Sequence, residues 1–225
     1  RGNAFIADAG SNLIHRKLLR YNGVQPVAER PKDEQQREFI ASTDNWFRPV
    51  QFANAPDGCL YVADMYRETI EHPWSIPLSI KKHLDLNSGN NRGRIWRIAP
   101  KGFKPPKRKL PGVMTSEELV AALSSPNGWT RDTAARLIYE RQNKSIVPAL
   151  EKFLANPFEP ASRVHALWAL RGLGALTAAH VLRALKTGAP QVRVHGLILA
   201  NDFLENKKMV SAVLAQSDHP SAAVR

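Results

Sequence analysis

Hydrophobic positions along this 225-residue chain follow two different rhythms. In the first hundred residues they come as short runs bounded by glycine, proline and acidic residues. Pro49 to Asn54 reads as a strand, Pro56-Asp57-Gly58 supplies turn geometry, and Leu60 to Met65 reads as the returning strand. Arg94-Ile95-Trp96-Arg97-Ile98 alternates basic and apolar side chains after the turn-prone stretch Asn87 to Gly93, and predicts the last strand of a sheet. A short helix is expected near Leu78 to Leu86.

The β pattern repeats. Gly2-Asn3-Ala4-Phe5-Ile6-Ala7-Asp8 matches Gly58-Cys59-Leu60-Tyr61-Val62-Ala63-Asp64 at a constant offset of 56. In each copy a glycine turn feeds a short apolar strand ending at an acidic residue, and a polar loop with a histidine follows, His15 in the first and His72 in the second. This is the pattern of a propeller blade. One and a half to two blades are expected, which by themselves would leave an open sheet edge, because propellers need at least four blades.

From Thr115 the rhythm becomes helical, with Leu119, Val120 and Leu123, then Leu137 and Ile138, then Ile146, Val147, Leu150, Phe153 and Leu154. An arginine recurs at positions 131, 163, 193 and 225, and Pro160, Pro190 and Pro220 precede the last three by a few residues. Helix pairs at this repeat length predict an α-solenoid that buries its core between neighbouring repeats. Each arginine is expected to lie along an inter-repeat groove and bond carbonyls or an acid of the adjacent repeat. His165 and His195, also thirty residues apart, read as groove or helix-surface residues.

The expected fold is therefore a β + α multidomain chain: the C-terminal blades of a β-propeller over residues 1–100, a basic proline-rich linker over 101–115, and HEAT-like helical repeats over 116–225. Arg1 leads directly into a strand and Arg225 falls inside a repeat, so the sequence reads as a piece of a longer protein.

Composition sharpens this picture in three places. The formal charge of +12 invites anionic partners, yet five of those charges are Lys101, Lys104, Lys107, Arg108 and Lys109, interleaved with Pro105, Pro106 and Pro111. That stretch reads as a solvated linker. It has only Phe103 as an interleaved aromatic and no recognisable nucleic-acid module surrounds it, so nucleic acid is not the expected partner. A single cysteine, Cys59, excludes an internal disulfide and a cysteine-framed zinc site. The most apolar region, Val164 to Leu185, is broken by His165, Arg171, His180 and Arg183, so no membrane-spanning helix is expected.

Polar side chains gather after the strands. The first set is Asp8, Asn12, His15 and Arg16; the second is Asp64, Tyr66, Arg67, Glu71 and His72; Arg48 stands just before the second hairpin. Histidine suits proton abstraction from a hydroxyl, and arginines suit an anionic cofactor. The same residues admit a purely structural reading, in which Asp64 closes a turn, Arg67 pairs with Glu71 and His72-Pro73 packs under Trp74. Asn90-Asn91-Arg92-Gly93-Arg94 lacks the order of a nucleotide cradle and reads as a hairpin turn.

Asn12-Leu13-Ile14-His15-Arg16, the run Arg37 to Val50, Pro56 to Pro73, and Arg92-Gly93-Arg94-Ile95-Trp96-Arg97-Ile98 together resemble the membrane-bound dehydrogenase domain of the PVC-type haem-binding CxxCH proteins. That family combines a propeller similar to those of sugar dehydrogenases with HEAT repeats and a cytochrome c domain. The resemblance implies an exported, periplasmic redox protein whose parent oxidises a sugar or polyol and passes electrons to a downstream haem c. It implies pyrroloquinoline quinone and calcium as cofactors of the complete propeller. It implies His15 and His72 as catalytic histidines, Arg16, Arg48 and Arg67 as cofactor-binding groups, and Asp64 as a metal ligand. Because no CxxCH occurs here and most blades are missing, no cofactor and no turnover are expected of this fragment alone. The alternative is a non-catalytic propeller and HEAT scaffold that binds a polysaccharide or protein partner.

Overall fold

The chain folds into two units, residues 1–105 and 106–225, in a computed structural model that describes residues 2–156 and 159–225. The division falls between Pro105 and Pro106. Neither proline offers a backbone N–H, and each disfavours helix in the residue before it.

In the first unit β1 (Asn3–Asp8) returns through a tight turn into β2 (Leu13–Asn22), with Ile6 opposite His15 and Ala7 opposite Ile14. Asn12 makes this turn with a left-handed backbone, φ 59°, and its side-chain amide donates to the carbonyls of Asn45 and Phe47. Asparagine tolerates that conformation because its short polar side chain bonds locally. Gly23, φ 62°, then turns β2 into β3 (Gln25–Glu29), and the short β4 (Ile40–Ala41) pairs with the start of β2. The second sheet runs β5 (Pro49–Asn54), β6 (Leu60–Asp64), β7 (Arg94–Ile98), all antiparallel, with an irregularity between Pro49 and Gln51.

The two sheets share one core. Ile14, Phe47 and Val62 are buried at its centre, and Phe5, Phe39, Ile40, Phe52, Leu60 and Ile98 pack around them. Phe5 links the sheets, its ring 4.9 Å from Phe39 and 6.4 Å from Phe52. Each fully buried side chain of this kind contributes about 1.5–3 kcal/mol. Antiparallel sheets are thus present in this unit, and among the described residues no sheet closes into a barrel or propeller.

Several local expectations need correction. His15 lies inside strand β2, because the β1–β2 turn is short; only His72 lies in a long connection, the one between β6 and β7. The helix expected over Leu78 to Leu86 is confined to α1 (Leu78–Lys81), since one turn has no packed face to propagate it and turns follow through Asn90. The β2–β3 hairpin carries no strand signal in the sequence, because its residues, among them Arg20, Gln25, Pro26 and Glu29, lack a sustained apolar alternation.

The second unit is helical: α2 (Ser116–Ala122), α3 (Gly128–Arg141), α4 (Val147–Ala155), α5 (Pro160–Gly172), α6 (Ala178–Lys186), α7 (Pro190–Ala200) and α8 (Lys207–Leu214). Helices α2/α3, α4/α5 and α6/α7 form hairpins, α3, α5 and α7 line up as one layer, and α2, α4 and α6 run behind them. The sequence punctuates each start. Thr115 and Glu118 form a capping box at α2, Thr177 caps α6, and Pro160 and Pro190 stand in the first turns of α5 and α7, where a missing N–H costs nothing. A continuous core of Leu119, Leu123, Ile138, Leu150, Leu167, Leu170, Leu185, Leu199 and Met209 runs through the repeats.

The recurring arginines stitch these repeats. Arg131, Arg193 and Arg225 each donate to the carbonyl six residues earlier, on Ser125, Thr187 and His219. Arg163 also reaches forward to the Thr187 hydroxyl at 2.8 Å, and Arg193 to Gln216 Oε1 at 2.7 Å. The carbonyls belong to the loop of each arginine's own hairpin, and the contact with the next repeat is to a neutral side chain instead of a carbonyl or an acid.

Candidate functional site

Strand β2 carries His15 and Arg16 to opposite faces of the first sheet, as the two-residue period of a strand requires. His15 Nδ1 lies 2.6 Å from Glu38 Oε2, and its Nε2 faces Asp8 Oδ2 at 3.7 Å. Glu38 is held in turn by Arg30, whose Nη2 donates to Oε1 at 2.8 Å. Arg30 first, and His15 after it, keep the Glu38 carboxyl below the usual range. Asp8 is likewise lowered, chiefly by the backbone N–H of Ser11 and in smaller part by His15. The result is an imidazole with one nitrogen fixed by a carboxylate and the other directed toward Asp8 beyond hydrogen-bond range. That geometry orients a proton acceptor.

Arg16 takes a different route. Its guanidinium pairs with the buried Glu34 at 2.8 Å and lies 5.8 Å from the centre of the Phe39 ring.

A second cluster surrounds Asp64 at the end of β6. One carboxylate oxygen accepts the backbone N–H groups of Arg48 and Tyr66, both at 2.9 Å; the other accepts Trp96 Nε1–H at 2.9 Å and lies 3.7 Å from Arg94. Arg48, 8% exposed, spends four N–H directions on the carbonyls of Ala9, Gly10, Arg67 and Glu68. A guanidinium has five such hydrogens. Arg67 donates to the Asn87 carbonyl. Tyr66 adopts φ 51°, between the ring of Trp46 at 5.6 Å and the Arg94 guanidinium at 3.5 Å.

The predicted site residues therefore fall into separate settings. Asp8 and His15 meet, with Glu38 and Arg30 added; Arg48, Asp64 and Arg67 meet; His72 sits on the surface, its Nδ1 accepting the backbone N–H of Trp74. Asp64 does close a turn, whereas Trp74 is 92% exposed and covers nothing at His72. A carboxylated quinone needs free cationic edges, and Arg16, Arg48 and Arg67 are each turned to a different acceptor within the protein. A calcium ion needs six or more oxygens, and among the described residues no group of three His, Cys, Asp or Glu side chains converges as a metal site. The residues present do not fit either cofactor. Glu38 and Arg30 escape sequence reading because they stand in the loop between β3 and β4, strands that carry no apolar alternation; the signal available is the density of charge from Arg30 to Glu38.

In the helical unit the α3/α5/α7 layer presents Asp132, Tyr139, Trp168, Arg171 and Ile198, with Asp202 in the turn after α7. Arg171 pairs with Asp202 at 2.7 Å and lies 5.4 Å from the centre of the Trp168 ring. Tyr139 rests its ring against Gly172 of the next hairpin. Residues 116–201 match HEAT repeats. Residues 1–102 match a family described as a domain of unknown function (DUF7133). No curated protein and no solved structure matches the chain. Neither family match carries the haem-binding or dehydrogenase resemblance, which rests on the motifs of the first hundred residues. The HEAT-like region is of a kind that serves protein interaction, and no helix among the described residues is long and apolar enough to cross a membrane.

Proposed function

We propose that this chain is an interaction scaffold: HEAT-like repeats dock a protein partner, and the β unit, read as the last blades of a propeller, presents its own loops to a polysaccharide or protein partner in the parent protein. The observation that carries this reading is the internal use of the strongest polar groups. Arg48 and Asp64, the residues best placed for a ligand, satisfy backbone and ring N–H groups and carbonyls of their own unit. The α3/α5/α7 layer, by contrast, keeps Tyr139 and Ile198 more than half exposed between charged pairs, the mixture of aromatic, aliphatic and arginine surface that interfaces favour.

The test is capture by the immobilised full chain, compared between wild type and Tyr139→Ala/Ile198→Asp. A partner retained by the wild type and lost at least tenfold by the double variant supports the scaffold. Retention that ignores those changes but is lost with His15→Ala would overturn it.

One observation favours a second reading, the Glu38–His15 pair at 2.6 Å. In it the parent is an exported, periplasmic oxidoreductase acting on a sugar or polyol, and His15 accepts the hydroxyl proton. Pyrroloquinoline quinone and calcium would have to be held by parts of the parent outside these residues, and haem c by a downstream CxxCH domain. The parent supplied with that quinone and calcium should reduce an artificial acceptor with aldoses or polyols, and lose this with His15→Ala. Turnover that survives the substitution, or a parent with no CxxCH, removes this reading.

A further inference from the structure

Trp168 of α5 and His195 of α7 belong to consecutive repeats, and their rings meet edge to face, 6.1 Å between centroids at 88°. The indole Nε1 lies 3.1 Å from His195 Nδ1. An indole N–H can only donate, so this contact requires an imidazole whose Nδ1 carries no proton. A charged imidazole has hydrogens on both nitrogens. Acid therefore replaces an acceptor facing a donor by a donor facing a donor.

We propose that the Trp168–His195 contact is an acid-released latch that sets how tightly two consecutive repeats of the solenoid are held. The groups around it give the release a direction. His165, three residues before Trp168 on α5, places its Nε2 3.4 Å from Asp132 Oδ1 of α3. Burial works against charge on His165, Asp132 favours it, and Arg131 and His195 repel it. On the far side, Arg171 and Asp202 hold the end of α5 to the turn after α7 through contacts at 2.7 and 3.2 Å. That ion pair persists until its carboxylate is protonated, which the Arg171 hydrogen bonds disfavour. Helix α6 meets α7 through Ala184 and Leu185 against Gly196, an apolar contact that does not titrate. The α5–α7 seam thus opens at Trp168 while pivoting on Arg171–Asp202, and the α3–α5 seam stays closed.

The experiment follows the indole N–H resonance of Trp168 in the full chain, assigned with Trp168→Phe, from pH 8 to pH 5, where histidines change charge. Backbone hydrogen exchange of α7 is measured in parallel, corrected for intrinsic rates. The expected result is a shift of the indole signal to its unbonded position along with the titration of His195, and at least a tenfold loss of protection in α7 with α3 unaffected. In His195→Phe neither quantity should depend on pH over this range. If that variant does not fold, His195→Gln serves, because its amide oxygen accepts the indole proton at any pH and should hold the seam closed. An indole signal that stays fixed while His195 titrates, or that moves equally in either variant, overturns the latch.

Discussion

Glu38 reaches across twenty-three residues of sequence to place its carboxylate 2.6 Å from Nδ1 of His15. Only a hydrogen on Nδ1 makes that contact favourable when the imidazole is neutral, so Glu38 selects the tautomer and leaves Nε2 as the acceptor. Glu38→Gln should relax that selection, and the nitrogen NMR shifts of His15 should move toward a mixture of tautomers. An unchanged tautomer would mean that Glu38 does not select it. If His15 serves as a proton acceptor in the parent, turnover should fall at least tenfold in the same variant.

Arg48→Ala should unfold the β unit more readily than any other single change of a charged residue there. The side chain is buried and bridges the β1–β2 turn to the segment after β6; its loss strands four carbonyls whose acceptors cannot all reach water. The expected cost is about 3 kcal/mol. Urea unfolding followed by the fluorescence of Trp46 and Trp96 measures it. Arg48→Lys should recover little, since one ammonium cannot span carbonyls set around a planar fork. A loss below about 0.5 kcal/mol, the range of an ordinary surface change, would show that water replaces the guanidinium.

How much of this was legible without coordinates depended on the range of the interaction. The hairpin Pro49–Asp64, the strand Arg94–Ile98 and the helix starts at Thr115, Pro160 and Pro190 are written locally, in turn residues, alternation and caps. The inter-repeat arginines were legible because a solenoid repeats each contact at a fixed spacing. Asp8 and Asp64 of the candidate site are legible because they stand at strand ends. Glu38 and Arg30 act across the sheet from a segment with no periodic signal, and His15 reads as a loop residue because the sequence echo with residues 58–64 conceals that the following connections differ greatly in length. The internal capture of Arg48 by backbone carbonyls had no signature in sequence at all.

Gly89→Ala should destabilise the β6–β7 connection, in which it stands five residues before β7. Its φ of 84° suits glycine, and an added Cβ would run into the Tyr66 carbonyl oxygen, a backbone atom that cannot turn aside. Tyr66 already holds a left-handed conformation beside Arg94. The cost should be at least about 2 kcal/mol, and near-UV circular dichroism should report the loss of ordered packing around Tyr66. Gly188→Ala, with no atom near its Cβ position, is the control and should be close to neutral.

The HEAT-like unit should lose stability in acid in two separate steps. Burial lowers the His165 and His180 imidazoles below 6.5 and outweighs the attraction of Asp132 for the first and of Glu151 for the second. A histidine lowered in the folded state binds fewer protons than in the unfolded chain. Its contribution is therefore complete above the unfolded value and is lost as pH falls from about 6.5 toward the folded value. The carboxylates follow later: Glu118, lowered by Lys109 and the Thr115 N–H, and Asp202, lowered by Arg171, contribute above their unfolded values of 4.5 and 3.8 and lose this as pH falls through the folded ones. Thermal unfolding recorded by far-UV circular dichroism from pH 8 to pH 3 should show a first decline beginning near pH 6.5 and a second below pH 4.5. His165→Gln together with His180→Gln should shrink the first decline to the part that the Trp168–His195 contact contributes and spare the second, because a glutamine takes up no proton in either state. A single decline confined to the carboxylate range, or a first decline undiminished by both substitutions, would show that these two imidazoles do not govern the acid response of the solenoid.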